Sequence, residues 1–210
     1  MRVKMGRCVI FGGAEISDYN KIKSYLRDDD FLVFCDSGLK HMEALGLTAD
    51  LIIGDFDSHE NPMLPVETIV LPCEKDDTDT VFAVKEALKR GFEDFLLLGT
   101  IGGRIDHTLG NLSILLMLDT AGKHGIMVDD HSEMEIISDK PAYVEDRYSY
   151  FSLLNISGTA EGIVIENAKY LLDGGGITCD YQYGVSNEVI KGKTAKITVA
   201  EGRLLLVKDF

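Results

Sequence analysis

The chain has 210 residues, 45% of them hydrophobic, enough to build the core of one large domain or two small ones. Lysine and arginine number 21 against 35 aspartates and glutamates, which gives a net charge of −14. Such an acidic surface repels nucleic acids and anionic membranes, so neither is expected as a partner. The four cysteines form no CxxC pair, and no apolar run has the length of a membrane span, which predicts a soluble protein of the reducing cytoplasm.

The first two-thirds of the chain alternates apolar strands with helical patterns. In chain order, strands are predicted in RCVIFGG, FLVFCDSG, LIIGDFDS, ETIVL, DFLLLGT and GIMVDD. Helices are predicted between them in SDYNKIKSYL, LKHMEALG, DTDTVFAVKEALKRG and RIDHTLGNLSILLML. Alternation of this kind is typical of a parallel sheet covered by helices on both faces. Residues 1–140 are therefore predicted to form a mostly parallel α/β/α domain.

The helical periodicity disappears after about Lys140, and Pro141 marks a reasonable boundary. Short strands separated by Gly, Asn and Asp turns are predicted in YSYFSLLNI, EGIVIEN, AKYLL, NEVIKG, AKITVA and GRLLLVKDF. The fold class expected from the sequence is thus α/β plus all-β, with residues 141–210 forming a small β-sandwich.

Glycine, a carboxylate or both follow each of the first five strands. Ligands of open α/β sheets bind at the carboxyl ends of the strands, so these residues are expected to meet at one rim. Asp55 and Asp57 are notable because residues i and i+2 of an extended backbone point the same way, and two like charges placed together favour a bound cation. Carboxylate and phosphate oxygens are the ligands that suit Mg²⁺.

Glycines and one arginine indicate that the same rim binds an anion. Gly12–Gly13 and Gly102–Gly103 allow close approach of the backbone, and Arg104 offers a forked cation for phosphate. The sequence contains neither G-x-x-x-x-G-K-[ST] nor G-x-G-x-x-G. A metal–phosphate site is predicted, although Asp36 or Asp77 taken singly fits a turn or a helix cap equally well.

Five segments occur along the chain in the order CDSG, TADLIIGDFDS, EKDDTDT, GTIGGRIDHTLGN and YGVSNEV. In order and spacing this set resembles the thiamine pyrophosphokinases, over nearly the whole chain. The resemblance implies transfer of a diphosphate group from ATP to the hydroxyl of thiamine, giving thiamine diphosphate and AMP with the help of Mg²⁺. It also implies a homodimer in which the thiamine loop of one chain completes the site of its partner.

The resemblance assigns roles to individual residues by position. The implied metal ligands are Asp55, Asp57 and Asp79, which are also counted as catalytic together with Arg104 and Asp106; Asp36, Gly38, Thr78 and Arg104 are implied on the ATP side, and Tyr183, Ser186 and Asn187 on the thiamine side. Asp106 is the preferred proton acceptor, if any side chain accepts the proton. His107 is expected to cap or pack the helix start.

The chain departs from some relatives in two ways. Phe82 stands where those relatives have a lysine, which leaves Lys75 and Arg104 as the nearby cations. The chain has no tryptophan to stack on thiamine, and Tyr181 or Tyr183 fits that role or strand-edge packing equally well. The run Asp28–Asp30 is expected to be a solvated turn.

Three other functions are compatible with these residues. One is a diphosphokinase for another alcohol, such as a hydroxymethylpterin. A second is a metal-dependent phosphohydrolase that uses an Asp-x-Asp pair. A third is a non-catalytic sensor that binds Mg-ATP.

Overall fold

The computed structural model describes residues 6–56 and 63–210, so the predicted metal ligand Asp57 lies outside the described residues. The chain forms two compact units, one ending at Asp130 and the other running His131–Phe210. The sequence placed the boundary later, near Lys140. The difference arises because the strand Ser132–Ile137 pairs with the C-terminal strand Leu204–Asp209 and so belongs to the second unit.

The first unit is built on six parallel strands in the order β6-β5-β1-β2-β3-β4. The strands are β1 (Cys8–Phe11), β2 (Phe31–Cys35), β3 (Leu51–Gly54), β4 (Glu67–Val70), β5 (Asp94–Leu98) and β6 (His124–Val128). After β4 the chain crosses to the far side of β1, so the strand order reverses between β1 and β5. The carboxyl ends of strands at such a reversal leave a crevice, which is where open α/β sheets bind ligands.

Four helices connect these strands, and their ends follow from the local sequence. They are α1 (Tyr19–Tyr25), α2 (Leu39–Leu45), α3 (Asp79–Arg90) and α4 (Ile105–Thr120). The Asp18 carboxylate accepts hydrogen bonds from the first free N–H groups of α1, and Gly91 ends α3 in the left-handed conformation. No helix within the described residues is both long and apolar enough to cross a membrane.

The second unit is a sandwich of two antiparallel sheets, with strand orders β12-β9-β14-β7 and β11-β10-β13-β8. Its strands are β7 (Ser132–Ile137), β8 (Ala142–Glu145), β9 (Tyr150–Leu154), β10 (Thr159–Glu166), β11 (Leu172–Thr178), β12 (Gly184–Asn187), β13 (Thr194–Thr198) and β14 (Leu204–Asp209). Phe151 and Leu206 of the first sheet share one buried core with Ile163 and Ile197 of the second. The predicted fold class, α/β followed by a β-sandwich, is confirmed.

Two strands predicted in the second unit are not strands in the structure, and two strands of the structure were not predicted. The run AKYLL is not a strand: Tyr170 and Leu171 are exposed, and β11 instead begins at Leu172 and continues through three glycines. The run NEVIKG is not one either, because β12 ends at Asn187. Strands β7 and β8 went unpredicted.

Strand β7 was not predicted because it contains a buried charged residue, Glu133. Glu133 made this segment look too polar for a core strand, yet it is buried. Lys208 of β14 pairs with it, and the Tyr148 hydroxyl donates to it at 3.1 Å. A partner 75 residues away cannot be seen in a local pattern.

The acidic run Asp28–Asp30 is not a fully solvated turn. The Asp30 side chain is completely buried and accepts hydrogen bonds from Arg7 Nε at 3.0 Å and Nη2 at 2.7 Å. The Arg27 backbone N–H also donates to it at 2.8 Å. Arg7, the residue before β1, supplies the compensating charge, which allows one acid of the run to be buried.

Candidate active site

A cavity of about 420 Å³ lies at the carboxyl ends of β1, β2 and β5, at the reversal of strand order. It is lined by Gly13–Glu15 after β1, Cys35–Ser37 after β2, Thr78–Thr80 at the start of α3, Gly99, Thr100 and Gly102–Arg104 after β5, and His107 and Asn111 of α4. The rim predicted from the sequence therefore corresponds to one concave surface of the first unit.

Three carboxylates meet beside this cavity. Asp36 follows β2 directly, Asp55 follows β3 directly, and Asp79 is the first residue of α3. One oxygen of each lies within 4.8 Å of one oxygen of each of the others. Three hard oxygen donors at this spacing fit the ligand preference of Mg²⁺. Asp55 and Asp79 were predicted as metal ligands, whereas Asp36, predicted on the ATP side, joins the same cluster.

The pairing of Asp55 with Asp57 was predicted from an extended backbone. Strand β3 ends at Gly54, and Phe56 has a φ of 57°, in the left-handed region, so the extended conformation ends before Phe56. Asp57 lies outside the described residues, and its pairing with Asp55 stays a prediction. What lies across from Asp55 in the described structure is Asp36 and Asp79, brought there by neighbouring elements.

Lys75 places an ammonium group in the acid cluster. Its Nζ contacts Asp55 Oδ2 and lies 3.0 Å from Asp79 Oδ1. Burial opposes the charged lysine, but hydrogen bonds to Asp55 and Asp79 outweigh it and raise the pKa of Lys75 above its ordinary value. The sequence identified Lys75 as a nearby cation for phosphate, and the structure shows it bound to the acids themselves.

Close backbone packing explains why glycines border the cluster. A Cβ at Gly54 would lie 2.9 Å from Asp36 Cβ, and one at Gly38 would lie 2.3 Å from the carbonyl oxygen of Phe11. A side chain at either position would push the turn after β2 away from its neighbours. The predicted ATP-side residue Gly38 thus has a packing reason to be glycine, and both glycines help to set the position of Asp36.

Thr78 positions Asp79 as well as lining the cavity. Its Oγ1 accepts a hydrogen bond from the Val81 N–H at 3.3 Å, which makes it the N-cap of α3. Asp79 then lies in the first turn, where the helix dipole favours a negative charge. Asp77, which fitted a turn or a helix cap from the sequence alone, instead pairs with Lys85 at 2.7 Å.

Arg104 and Asp106 form an exposed pair at the cavity edge. Arg104 donates to Asp106 through Nη2 at 2.5 Å and Nε at 3.1 Å. The guanidinium, together with the His107 backbone N–H, lowers the pKa of Asp106 to about 2. A carboxylate with that pKa is a weak base, and release of Arg104 would make Asp106 a stronger one.

Sequence reasoning missed the buried groups that hold the cavity loops. His41 is fully buried; its Nε2–H donates to the Ala14 carbonyl at 2.9 Å, and its Nδ1 accepts from the Tyr19 hydroxyl at 2.8 Å. Burial is the main cause that lowers the pKa of His41, which favours this neutral form. Asn111 similarly donates to the Thr100 carbonyl at 2.8 Å. The sequence signal that could have indicated their burial is their position on the inner faces of α2 and α4.

The predicted thiamine residues lie together at β12 of the second unit. Asn187 is buried, and its side-chain amide bonds the backbone N–H and C=O of Tyr170, at 3.0 and 2.7 Å. Ser186 has a φ of 58°, and the Tyr183 hydroxyl donates to the Gly176 carbonyl at 2.7 Å. The rings of Tyr181 and Tyr183 are 5.4 Å apart. In this arrangement Asn187 holds the backbone at Tyr170 in place, while the side chains of Tyr181 and Tyr183 are partly exposed.

The fold and the cavity define a class of protein: an α/β enzyme unit with an acid-lined ligand site, followed by a β-sandwich. Comparison with known proteins adds the family. The model of the thiamin pyrophosphokinase catalytic domain matches residues 22–127, and the model of the family's vitamin B1 binding domain matches residues 135–204. The chain belongs to the thiamin pyrophosphokinase family, which confirms the resemblance found in the sequence.

Individual relatives agree with this assignment. A thiamine pyrophosphokinase of Bacillus subtilis (strain 168) is 24% identical over 196 residues, covering 90% of this chain and 91% of the relative. The crystal structure of thiamine pyrophosphokinase from Bacillus subtilis superposes with a TM-score of 0.84 at 22% identity, covering 97% of this chain and 99% of the other. That of thiamin pyrophosphokinase from Geobacillus thermodenitrificans gives 0.84 at 25% identity, with 98% of each chain covered.

Proposed function

We propose that this chain transfers a diphosphate group from ATP to the hydroxyl of thiamine, giving thiamine diphosphate and AMP in an Mg²⁺-dependent reaction. The observation that carries the proposal is the cluster of Asp36, Asp55 and Asp79 beside the switch-point cavity. It occurs in a chain that matches both a catalytic domain and a vitamin B1 binding domain.

The acid cluster is the proposed place for Mg²⁺. Asp36, Asp55 and Asp79 supply three carboxylates, and Asp57 is retained as a further ligand from the resemblance. Mg²⁺ held there would neutralise charge on the phosphate oxygens of ATP. The protein's own part is to hold the oxygens in place, which the short connections from β2 and β3 and the Thr78 cap accomplish.

The remaining cavity residues are proposed to position ATP. Gly13–Glu15, after β1, and Gly102–Gly103, after β5, offer backbone close to a phosphate. Arg104 is proposed to leave Asp106 and grip phosphate oxygens with its two donors. The same movement would remove the cause of the low pKa of Asp106.

The proposed transfer forms one bond to phosphorus and breaks another. The thiamine oxygen bonds to the β-phosphorus of ATP, the bond from that phosphorus to the oxygen bridging to the α-phosphate breaks, and AMP departs with the electron pair. The hydroxyl proton passes to Asp106, or to water beside it. The sandwich unit, with Tyr183, Ser186 and Asn187, is proposed to recognise thiamine, with a tyrosine ring facing the cationic thiazolium.

The test is incubation of the purified chain with Mg-ATP and thiamine, with separation of the nucleotide products. We expect AMP and thiamine diphosphate in equal amounts, and no product after chelation of the metal. ADP as the product, release of phosphate from simple esters, or transfer only to a hydroxymethylpterin would each contradict the proposal. ATP binding without AMP formation would favour a nucleotide sensor.

A matched pair of substitutions tests the cluster itself. Asp79→Asn removes one carboxylate of the cluster, whereas Asp77→Asn, two residues away, breaks only a surface pair with Lys85. We expect turnover to fall by about a hundredfold or more in the first variant and to change little in the second. Equal effects in the two variants would contradict the site assignment.

We further propose a cytoplasmic homodimer with shared active sites. Support comes from exposed apolar side chains on the sandwich unit and from four free cysteines, which suit a reducing compartment. Light scattering tests the dimer. Co-expressed Asp55→Asn and Tyr183→Ala chains should form mixed dimers that recover activity, since one of the two sites is then intact. Mixed dimers as inactive as their parents would contradict shared sites.

A further inference from the structure

The ammonium group of Lys75 occupies the place where a cation would be needed. Its Nζ contacts Asp55 and lies 3.0 Å from Asp79, so it bridges two of the three clustered carboxylates. The three side chains are mostly buried: 17% of Lys75, 9% of Asp55 and 20% of Asp79 remains exposed. This is therefore an interior contact between the segment before α3 and the carboxyl end of β3.

The charges of the cluster show why a lysine stands there. Asp36, Asp55 and Asp79 bring three carboxyl groups within a few ångströms of one another, and Lys75 adds one positive charge beside them. Without a cation the like charges repel in a partly dry environment, which disfavours the folded arrangement. Lys75 offsets that repulsion in the metal-free protein.

A metal ion and the ammonium group compete for this position. Mg²⁺ binds carboxylate oxygens at about 2.0–2.1 Å and demands octahedral geometry. Lys75 Nζ contacts Asp55 Oδ2 and Asp79 Oδ1. An ion that takes these same oxygens is repelled by the ammonium group, so its binding there requires the ammonium to move away. The lysine stem, with four rotatable carbons, allows that movement without a backbone change.

We propose that Lys75 is a built-in counter-ion of the acid cluster, which Mg²⁺ displaces when it binds. This inference rests on the proposed function only in taking the cluster as the magnesium site. Lys75 stabilises the cluster when no metal is bound and at the same time weakens Mg²⁺ binding, because part of the metal's binding free energy goes into breaking two ion pairs. Weaker binding of this kind lets Mg²⁺ leave and re-enter the cluster more readily.

The test compares two lysine-to-methionine variants with the wild type. Lys75→Met keeps the length and apolar stem but removes the charge from the cluster. Lys85→Met is the control, since Lys85 pairs only with Asp77 among the ion pairs of the described residues and is half exposed. Mg²⁺ binding is measured by calorimetry without ATP, and melting temperature is measured with and without Mg²⁺.

We expect Lys75→Met to melt lower than the wild type without metal, and to bind Mg²⁺ about tenfold more tightly, equivalent to about 1.4 kcal/mol. Its melting temperature should rise more on adding Mg²⁺. Lys85→Met should match the wild type in Mg²⁺ affinity. Unchanged or weaker Mg²⁺ binding by Lys75→Met would overturn the inference, and so would the absence of Mg²⁺ binding by all three proteins.

A second measurement uses the wild type alone, in case Lys75→Met does not fold. Amine-reactive labelling followed by mass spectrometry reports how accessible each lysine is. Saturation with Mg²⁺ should speed the labelling of Lys75 several-fold and leave Lys85 unchanged; equal or slower labelling of Lys75 would overturn the inference. Neither measurement involves thiamine or AMP, so a chain that displaced Lys75 but formed no AMP would refute the proposed reaction and leave the counter-ion role standing.

Discussion

Replacing Gly54 by alanine tests whether backbone packing sets the position of the acid cluster. Gly54 is the last residue of β3, and its carbonyl accepts the N–H of Leu71 at 2.9 Å. An alanine Cβ there would lie 2.9 Å from Cβ, 3.1 Å from Cα and 3.2 Å from the backbone nitrogen of Asp36. Two of these three atoms are backbone, so no side-chain rotation relieves the contact.

The loss of stability expected for Gly54→Ala follows from those distances. Carbon atoms pack best at about 3.5–4.0 Å, so the shortest contact is too close by more than half an ångström. The end of β3 and the turn after β2 must therefore separate, and overpacking of this kind costs about 1–3 kcal/mol. Because Asp36 moves with the turn, its oxygen also moves away from those of Asp55 and Asp79, and cation affinity should fall as well.

Gly46→Ala is the matched control. Gly46 ends α2 with a φ of 64° and has open space around its Cβ position, so alanine there costs about 1–2 kcal/mol through backbone strain alone. Urea unfolding followed by circular dichroism gives both stabilities, and calorimetry gives Mg²⁺ affinity. We expect both variants to be destabilised but only Gly54→Ala to lose affinity. The reasoning is refuted if Gly54→Ala stays within about 0.5 kcal/mol of the wild type and binds Mg²⁺ normally.

Three further predictions concern single contacts. Asp30→Asn leaves the buried Arg7 guanidinium without a balancing charge and should lower the unfolding free energy by about 3–5 kcal/mol in urea denaturation; a loss below about 1 kcal/mol would show the pair to be unimportant. Arg104→Gln should raise the pKa of Asp106 from about 2 towards its ordinary value, so that carboxyl NMR detects protonation nearer pH 4 than pH 2; an unchanged titration would contradict the assigned cause. Thr78→Ala removes the N-cap of α3 and should cost about 1 kcal/mol, whereas Thr78→Ser should restore most of the stability.

The sequence predicted the first unit well because its signals are local. Apolar strands, capped helices and the polar residues that follow each strand can all be read within a few residues. The convergence of Asp55 and Asp79 on one rim follows from the parallel order of the strands. The left-handed conformation of Phe56 was not predicted, because an apolar residue directly after a strand gives no sign of a positive φ.

What the sequence did not show depends on partners distant in the chain. Asp36 taken singly fitted a turn, and the resemblance placed it on the ATP side; its place beside Asp55 and Asp79 depends on the packing of Gly54 and the end of β3 against it. Lys75 was identified as a nearby cation for phosphate, but its contacts with Asp55 and Asp79 could not be predicted before those acids were placed around it. His41 lies on the inner face of α2, but its hydrogen-bond partners Ala14 and Tyr19 are 27 and 22 positions earlier and cannot be predicted from a local pattern.

The central strand β1 contributes no charged group to the site, yet it joins the two flanks of the cavity. It pairs with β2 on the acidic side and with β5 on the side that leads to Arg104, and all four of its residues are buried. A change in volume at Val9 or Ile10 would shift both flanks at once. Substitutions in β1 would therefore change the distance between the acid cluster and Arg104. Directed evolution towards larger or smaller substrates can use these core positions, which contact no ligand.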